Sequence, residues 1–166
     1  MRHHVDVLTG SFVVRQLPTW FENVGKRLVK APKVYVRHSG LLHHFLGIGS
    51  RLALLSHPSL GASWEGFVVD QVVRVLHAER DAYFYRTHGG TELDLLIVRG
   101  GKRWGFEAKH GDTPVVTKSM RVAMTDLKLD HLWVVHSGER SFDLDDRISS
   151  LALRDLDALV RTRRMA

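Results

Sequence analysis

Three acidic residues and one lysine stand in or beside apolar stretches of this 166-residue sequence. Asp94 lies within "LDLLIV", Glu107 and Lys109 lie within "WGFEAKH", and Glu65 precedes a valine-rich helical pattern. Carboxylates that share a partly buried site repel one another, and a hard cation such as Mg²⁺ removes that conflict. Such a cation can activate water and stabilise charge on a phosphate, with help from a nearby lysine. If these four side chains meet, we expect metal-assisted phosphodiester hydrolysis.

Two predicted strands would bring the acids together. Residues 91–99 and 102–110 read as a hairpin that turns at Gly100 and Gly101. Residues two apart on a strand point to the same face, so Glu107 shares a face with Lys109. Counting from the glycine pair places Asp94 opposite Glu107 or nearly so, depending on the register of the turn.

A predicted helix over residues 63–80, with Ser63 as its N-cap, would bring the third acid. The positions 3, 4, 7, 8 and 11 residues after Glu65 are all apolar: Val68, Val69, Val72, Val73 and Leu76. Glu65 therefore stands at the top of the stripe that should face the sheet.

Each of these residues also has an ordinary structural interpretation. Glu65 could stabilise a helix N-terminus through the dipole, and Glu107 with Lys109 could form a solvated strand face. Asp94 could cap a turn or pair with Arg86. The combination favours a functional site, because aspartate is rare in strands and the surrounding residues are typical of a core.

The remaining patterns predict an α/β domain preceded by a small N-terminal appendage. From residue 63 onward the order is helix, three strands, helix, strand and a last strand that runs into a helix, which indicates a mixed sheet with packed helices. Residues 1–48 predict an N-terminal appendage of strand, turn, strand and helix. The glycine- and serine-rich residues 47–63 read as a connector to the domain at residues 62–162.

A helix glutamate, a strand aspartate and Glu-x-Lys on the next strand, in this order of elements, resemble the PD-(D/E)XK nuclease superfamily. The phrases "KVYVRHSGLLHHFLG", "SWEGFVVDQV", "YFYRTHGGTELDLLI" and "GFEAKHGDTPVVTKSMR" narrow the resemblance. They are similar to a C-terminal domain of unknown function that follows the P-loop ATPase module in a large group of prokaryotic proteins. The resemblance covers residues 5–156. It implies a restriction-endonuclease-like αβββαβ core with a mixed sheet flanked by helices.

The resemblance also implies a function and a metal. Glu65, Asp94 and Glu107 would bind Mg²⁺ or Mn²⁺, and Lys109 would complete a catalytic set that cleaves DNA. The alternative is a non-catalytic module that binds nucleic acid or a partner and keeps only a vestige of the site, since fold does not fix activity.

Two features depart from the family pattern. No Gly-x4-Gly-Lys-Ser/Thr motif is present, so we expect no ATP site in this chain and an ATPase module supplied from elsewhere. His38 stands where the family often has aspartate, which would change a turn contact. The N-terminal appendage resembles the end of a winged-helix segment, and an exposed apolar side there would favour a homodimer.

Four further side chains are candidates for phosphate contacts. Arg86 and His88 precede the site strand, and Lys118 and Arg121 begin the helix after it. An exposed strand end or a solvated helix face is the ordinary interpretation of both pairs. Glu92, which shares a face with Asp94, and Gln71, on the first helix, are weaker candidates for the site.

Composition sets broad limits. Hydrophobic residues make up 44% and charged residues 25% of the chain, which is typical of a globular protein. There is no cysteine, which excludes thiolate metal sites and suits a cytoplasmic location. The net charge of +6 favours a polyanion such as DNA as a partner. No apolar run approaches the roughly 20 residues that span a bilayer.

Overall fold

A computed structural model describes residues 2–21 and 25–161 of the chain. The predicted domain end at residue 162 lies outside the described residues. Within them, no helix has the length and apolar character that crossing a membrane would require.

The N-terminal unit consists of four elements. Helix α1 (Arg2–Gly10) precedes an antiparallel pair of strands, β1 (Val14–Leu17) and β2 (Lys33–Val36), and helix α2 (Ser39–Phe45) follows them. The two strands and α2 lie where the sequence places them. Helix α1 was not among the expected elements.

The segment interpreted as a connector is largely helical. Helix α3 (Arg51–Leu55) begins after Ser50, whose hydroxyl accepts a hydrogen bond of 3.1 Å from the Ala53 N–H. Helix α4 (Leu60–Val75) then begins three residues earlier than predicted. Ser63 is therefore not an N-cap, and its buried hydroxyl contacts the His43 ring at 2.7 Å. Glycine and serine here mark helix boundaries instead of an irregular linker.

The second half of the chain forms a six-stranded mixed sheet flanked by helices. Its strand order is β3-β4-β5-β6-β8-β7, with parallel pairing at β5/β6 and β6/β8 and antiparallel pairing elsewhere. The elements are β3 (Ala82–Arg86), β4 (Glu92–Arg99), β5 (Lys102–Lys109), α5 (Lys118–Leu127), β6 (His131–His136), β7 (Phe142–Asp145), β8 (Ile148–Ala152), a 3-10 turn (Leu153–Asp155) and α6 (Leu156–Arg161).

From α4 to β6 the elements follow the predicted order. The sequence analysis did not predict β7, because its four residues, Phe-Asp-Leu-Asp, form a very short segment with two aspartates, a residue type that is rare in strands. It lies at the sheet edge beside β8.

Each face of the sheet has its own core. Helices α4 and α6 cover one face, and the four valines predicted to face the sheet are at most 1% exposed: Val68, Val69, Val72 and Val73. Helix α5 covers the other face through Met120, Ala123 and Leu127. Each fully buried valine or leucine stabilises the fold by about 1.5–3 kcal/mol. This packing fixes α4 against β4 and β5, the elements that carry the predicted acids.

The N-terminal unit packs against the larger part of the chain. Arg15 on β1 donates to Asp70 on α4 at 2.8 Å, and both side chains are buried. Arg37, just after β2, reaches the same carboxylate at 3.4 Å. A buried charge held by two arginines gives this contact a specific geometry.

The connection between β1 and β2 covers the free edge of β3. The backbone of Phe84 accepts from the Trp20 N–H at 2.7 Å and donates to the Pro18 carbonyl at 2.9 Å. Farther along, the Val29 N–H donates to the Arg86 carbonyl at 2.9 Å. These bonds satisfy backbone groups that an edge strand would otherwise leave open.

Candidate functional site

A cavity of about 560 Å³ lies beside the N-terminal ends of α4 and β4 and the C-terminal end of β5. Its walls contain all four residues of the predicted catalytic set, Glu65, Asp94, Glu107 and Lys109, together with Glu92. Leu60, Gly61, Ala108, His110 and Ser119 complete the lining. The structure thus brings a side chain of α4 together with side chains of the β4–β5 hairpin, which follows α4 later in the sequence.

The hairpin of β4 and β5 positions two of the acids. Leu95 pairs with Phe106, and continuing that antiparallel register sets Asp94 opposite Glu107. The Ala108 N–H donates to Asp94 Oδ2 at 3.0 Å, which fixes the Asp94 side chain against β5. Asp94 is 8% exposed and Glu107 is 9% exposed, so water screens neither charge well.

Glu65 comes from the early part of α4, where the helix passes close to β2. A methyl group added at Gly66 would lie only 3.1 Å from the Tyr35 ring, so the glycine permits this approach. The Tyr35 hydroxyl donates to Glu65 Oε1 at 2.5 Å. One strand of the N-terminal unit therefore orients a predicted site residue.

Lys33, two residues before Tyr35 on β2, was not among the sequence candidates. Its ammonium lies 2.6 Å from Glu65 Oε1, 2.6 Å from Glu92 Oε1 and 3.2 Å from Asp94 Oδ1. Its side chain is 17% exposed. The only signal in the sequence is the alternation that sets Lys33 and Tyr35 on one face of β2. Nothing in that pattern indicates that this face meets residues 30 or more positions away.

Burial and mutual repulsion perturb the acids. Burial, followed by the charge of Asp94, raises the pKa of Glu107 to about 7. Burial and the neighbouring charge of Glu65 raise the pKa of Asp94 above its ordinary value, against the opposing effect of Lys33. A raised pKa means that nearby cations and hydrogen bonds do not fully offset the cost of burying the ionised carboxylate.

In the two lysines the surroundings stabilise the charged form instead of the neutral form. Burial alone lowers the pKa of Lys33, but the negative charges of Asp94 and Glu65 outweigh it and hold that pKa above its ordinary value. Burial also acts against Lys109, and its hydrogen bond to Glu107 reverses the effect, so the pKa of Lys109 is raised. Both amines are therefore fully charged at neutral pH.

One carboxylate oxygen in the cavity lacks a partner. Oε1 of Glu107 accepts from Lys109 at 2.8 Å, but Oε2 is buried and accepts no hydrogen bond from the described residues. A buried acceptor without a donor is costly, and a cation would satisfy it. In its chemistry the donor set of Glu65, Asp94 and Glu107 fits Mg²⁺ or Mn²⁺.

The arrangement is not already that of a metal centre. In the described ranges no group of three histidine or acidic side chains is placed to hold an ion directly. The ammonium of Lys33 lies between Glu65 and Asp94 instead. The carboxylates would have to turn toward a common ion, with Lys33 displaced.

Two of the four predicted phosphate-contact residues, Arg86 and Arg121, form ion pairs at different places on the structure. Arg86 is exposed and its Nε lies 3.4 Å from Glu92 Oε2, beside the cavity. Arg86 therefore pairs with Glu92, and Asp94 pairs with Lys33. Arg121 instead points to the β7 side, where it donates to Asp145 at 2.5 Å.

The other candidates do not line the cavity. His88 is exposed beyond the end of β3, and Lys118 is exposed at the start of α5. Gln71 is half-buried, about two turns after Glu65 on α4, and is absent from the cavity wall. Ser119, which the sequence did not single out, accepts from the Glu92 N–H at 3.1 Å and so ties α5 to β4 at the site.

Two family models and two curated relatives match the chain. Residues 60–156 match the family described as "Domain of unknown function (DUF4143)", and residues 1–52 match "Domain of unknown function (DUF8612)". The chain is 48% identical, over 147 residues, to the uncharacterized protein Rv2008c of Mycobacterium tuberculosis and to Mb2031c of Mycobacterium bovis. That alignment covers 89% of this chain but only 33% of each relative.

No solved structure matches the chain. The expected resemblance to a domain of unknown function is confirmed by the first family, whose match begins at the first residue of α4 and includes Glu65, Asp94, Glu107 and Lys109. Since that match extends over more than half of the sequence, the chain belongs to the family described as Domain of unknown function (DUF4143).

Proposed function

We propose that this chain is a metal-dependent nuclease domain that hydrolyses DNA phosphodiester bonds. The observation that carries the proposal is the convergence of Glu65, Asp94, Glu107 and Lys109 on one cavity, where a buried Glu107 oxygen accepts no hydrogen bond from the described residues. The order of elements from α4 to β6 also supports a restriction-endonuclease-like core of the PD-(D/E)XK type.

Three carboxylates would bind the cation. Asp94 and Glu107 face one another across the hairpin, and Glu65 approaches from α4. A bound Mg²⁺ or Mn²⁺ ion supplies Lewis-acid stabilisation of the scissile phosphate and a more acidic water. Burial strengthens the attraction between these carboxylates and any cation that enters.

Lys109 would act on the phosphate side of the site. Its side chain is 46% exposed, and its ammonium donates to Glu107 at 2.8 Å. The charged amine can therefore keep its contact with Glu107 while it donates to an anionic oxygen of the substrate. Arg86, which is exposed and pairs with the cavity residue Glu92, is a further candidate for a backbone phosphate contact. Lys118, His88 and Arg121 do not line the cavity and would contact phosphates farther along the DNA strand.

The proposal is tested by incubating plasmid and linear DNA with the purified chain and Mg²⁺, Mn²⁺ or chelator. Asp94→Asn and Lys109→Ala should each reduce cleavage by about 100-fold or more, because each removes charge aimed at the reacting groups. Asp157→Asn, on the exposed face of α6, is the matched control and should cleave normally. Cleavage that persists in chelator or in Asp94→Asn would rule the proposal out.

A second candidate function is a non-catalytic module that binds nucleic acid or a partner. The position of Lys33 favours it, because an ammonium already neutralises part of the acidic cluster. In that case the chain would retard DNA in a mobility assay without cutting it, and Asp94→Asn would leave that retardation unchanged.

The partner module, the oligomeric state and the cellular location of the domain are separate proposals. The chain spans a third of the length of the curated relatives it matches. On the family resemblance of the sequence, we propose a P-loop ATPase module as the partner of this domain. A homodimer and a cytoplasmic location are likewise proposals. Sedimentation of the purified chain tests the first, and fractionation of cells tests the second.

A further inference from the structure

The carboxylate cavity holds a cation that belongs to the protein itself. We propose that Lys33 and a divalent metal ion are alternative occupants of this cavity, so that the N-terminal unit controls metal loading. The inference rests on the proposed function, because it concerns how the same site acquires its metal.

The contacts of Lys33 are those of a counter-ion. Its ammonium has three donor hydrogens, and three carboxylates from α4 and β4 lie within 3.2 Å: Glu65, Glu92 and Asp94. Two of these, Glu65 and Asp94, are proposed metal ligands. A divalent ion coordinated by both oxygens at about 2.0–2.1 Å would lie in the space that the ammonium now fills. The two cations therefore exclude one another.

The scaffold holds Lys33 firmly in this position. Strand β2 pairs with β1, the Tyr35 ring packs on Gly66, and the Tyr35 hydroxyl donates to Glu65. Arg37, at the other end of β2, is tied to Asp70. The backbone of β2 is thus fixed on α4, and displacement of the ammonium is left to the flexible side chain.

The competition has a measurable consequence. A site whose competent state is only partly populated binds its ligand more weakly by that fraction. Removing the Lys33 ammonium frees Glu65 and Asp94 and leaves their charges uncompensated. We expect Lys33→Met to bind Mn²⁺ at least about tenfold more tightly than the unmodified chain.

The first experiment is a calorimetric titration of Mn²⁺ into the unmodified chain, Lys33→Met and Lys26→Met. Lys26 is the matched control, since it lies in the same N-terminal half and pairs with Asp126 at 2.6 Å, and neither of these two residues lines the cavity. Tighter Mn²⁺ binding in Lys33→Met alone supports the inference. Equal or weaker binding in Lys33→Met, or no binding by any of the three proteins, overturns it.

A second measurement needs no variant and decides the matter if Lys33→Met does not fold. Amine labelling followed by peptide mass spectrometry reads the accessibility of Lys33, whose side chain is now 17% exposed. Saturating Mn²⁺ should increase labelling of Lys33 by several-fold and leave Lys26 unchanged. Labelling of Lys33 that stays constant or falls in Mn²⁺ refutes the competition.

DNA cleavage by the same samples separates this inference from the proposed function. Tighter Mn²⁺ binding by Lys33→Met with no cleavage by any protein supports the competition and rejects the nuclease. Metal-dependent cleavage by the unmodified chain, with equal Mn²⁺ affinity in Lys33→Met, supports the nuclease and rejects the competition.

Discussion

Replacing Glu107 by glutamine should make the metal-free protein more stable at neutral and alkaline pH. Glu107 is buried and faces Asp94, and its pKa rises from 4.5 to about 7. The folded state therefore binds a proton that the unfolded state has released between these two pH values. At about 1.4 kcal/mol per pH unit, this costs the folded protein about 3 kcal/mol above pH 7. Glutamine keeps the shape of the side chain and removes that cost.

The sign of the pH dependence follows from the direction of the shift. A carboxyl group with a raised pKa weakens the folded state progressively as the pH rises from 4.5 to 7. The advantage of Glu107→Gln over the unmodified chain should be about 3 kcal/mol at pH 8 and less than about 1 kcal/mol at pH 5. Lys109, which loses its carboxylate partner, is half-exposed and can turn to water.

Urea denaturation followed by circular dichroism at pH 5 and pH 8, in the presence of chelator, measures both values. Glu139→Gln is the matched control, because Glu139 is 83% exposed and pairs only with a surface arginine among the described residues. Its free energy of unfolding should not change at either pH. A Glu107→Gln protein that is less stable at pH 8, or equally stabilised at both pH values, would show that Glu107 is not a strained buried charge.

Three further changes test the scaffold around the site. Asp70→Asn leaves the buried Arg15 without its charged partner and should lower the free energy of unfolding by about 3 kcal/mol in a urea titration. Gly105→Ala should lower it by about 1–3 kcal/mol, because the new methyl group would lie 2.7 Å from Leu129. Gly49→Ala is the control for this clash and should not lower it, because a methyl group there would meet nothing within 4 Å among the described residues and φ is not in the left-handed region. Burial lowers the pKa of His136, so its contribution to stability is complete above about pH 6.5 and is lost as the pH falls below it. Because Glu107 changes the stability in the opposite direction over the same pH range, the loss is measured as a difference between two proteins: in urea titrations at pH 7 and pH 5, the unmodified chain should lose stability relative to His136→Gln as the pH falls.

Periodicity carried much of the fold prediction. The apolar stripe of α4 and the apolar runs in β4 and β5 are local patterns. In the structure the valines of that stripe are buried, and residues 93–97 and 104–107 form continuous buried stretches on the two strands. The glycine pair at residues 100 and 101 set the hairpin register, because both glycines adopt positive φ angles of 58° and 77° in the turn. The convergence of Asp94 and Glu107 followed from that register alone.

The remaining features depend on contacts that local patterns do not contain. Lys33 reaches the cavity because β2 packs on α4 at Gly66, and no local rule pairs a four-residue strand with a helix 30 residues later. Strand β7 forms because β8 offers it an edge, although two of its four residues are aspartates. Helix α3 is only five residues long, and its serine cap was interpreted as part of a loop.

The backbone hydrogen bonds between the β1–β2 connection and the edge of β3 have a consequence for truncated versions of this protein. The region that matches the first family starts at residue 60, whereas the backbone partners of Phe84 and Arg86 come from residues 18–29. A fragment trimmed to the family boundary would leave the outer side of β3 unpaired, and an apolar strand with open amides invites other chains to bind there. Such a fragment should aggregate through this strand edge, which Pro18, Trp20 and Val29 protect in the chain described here.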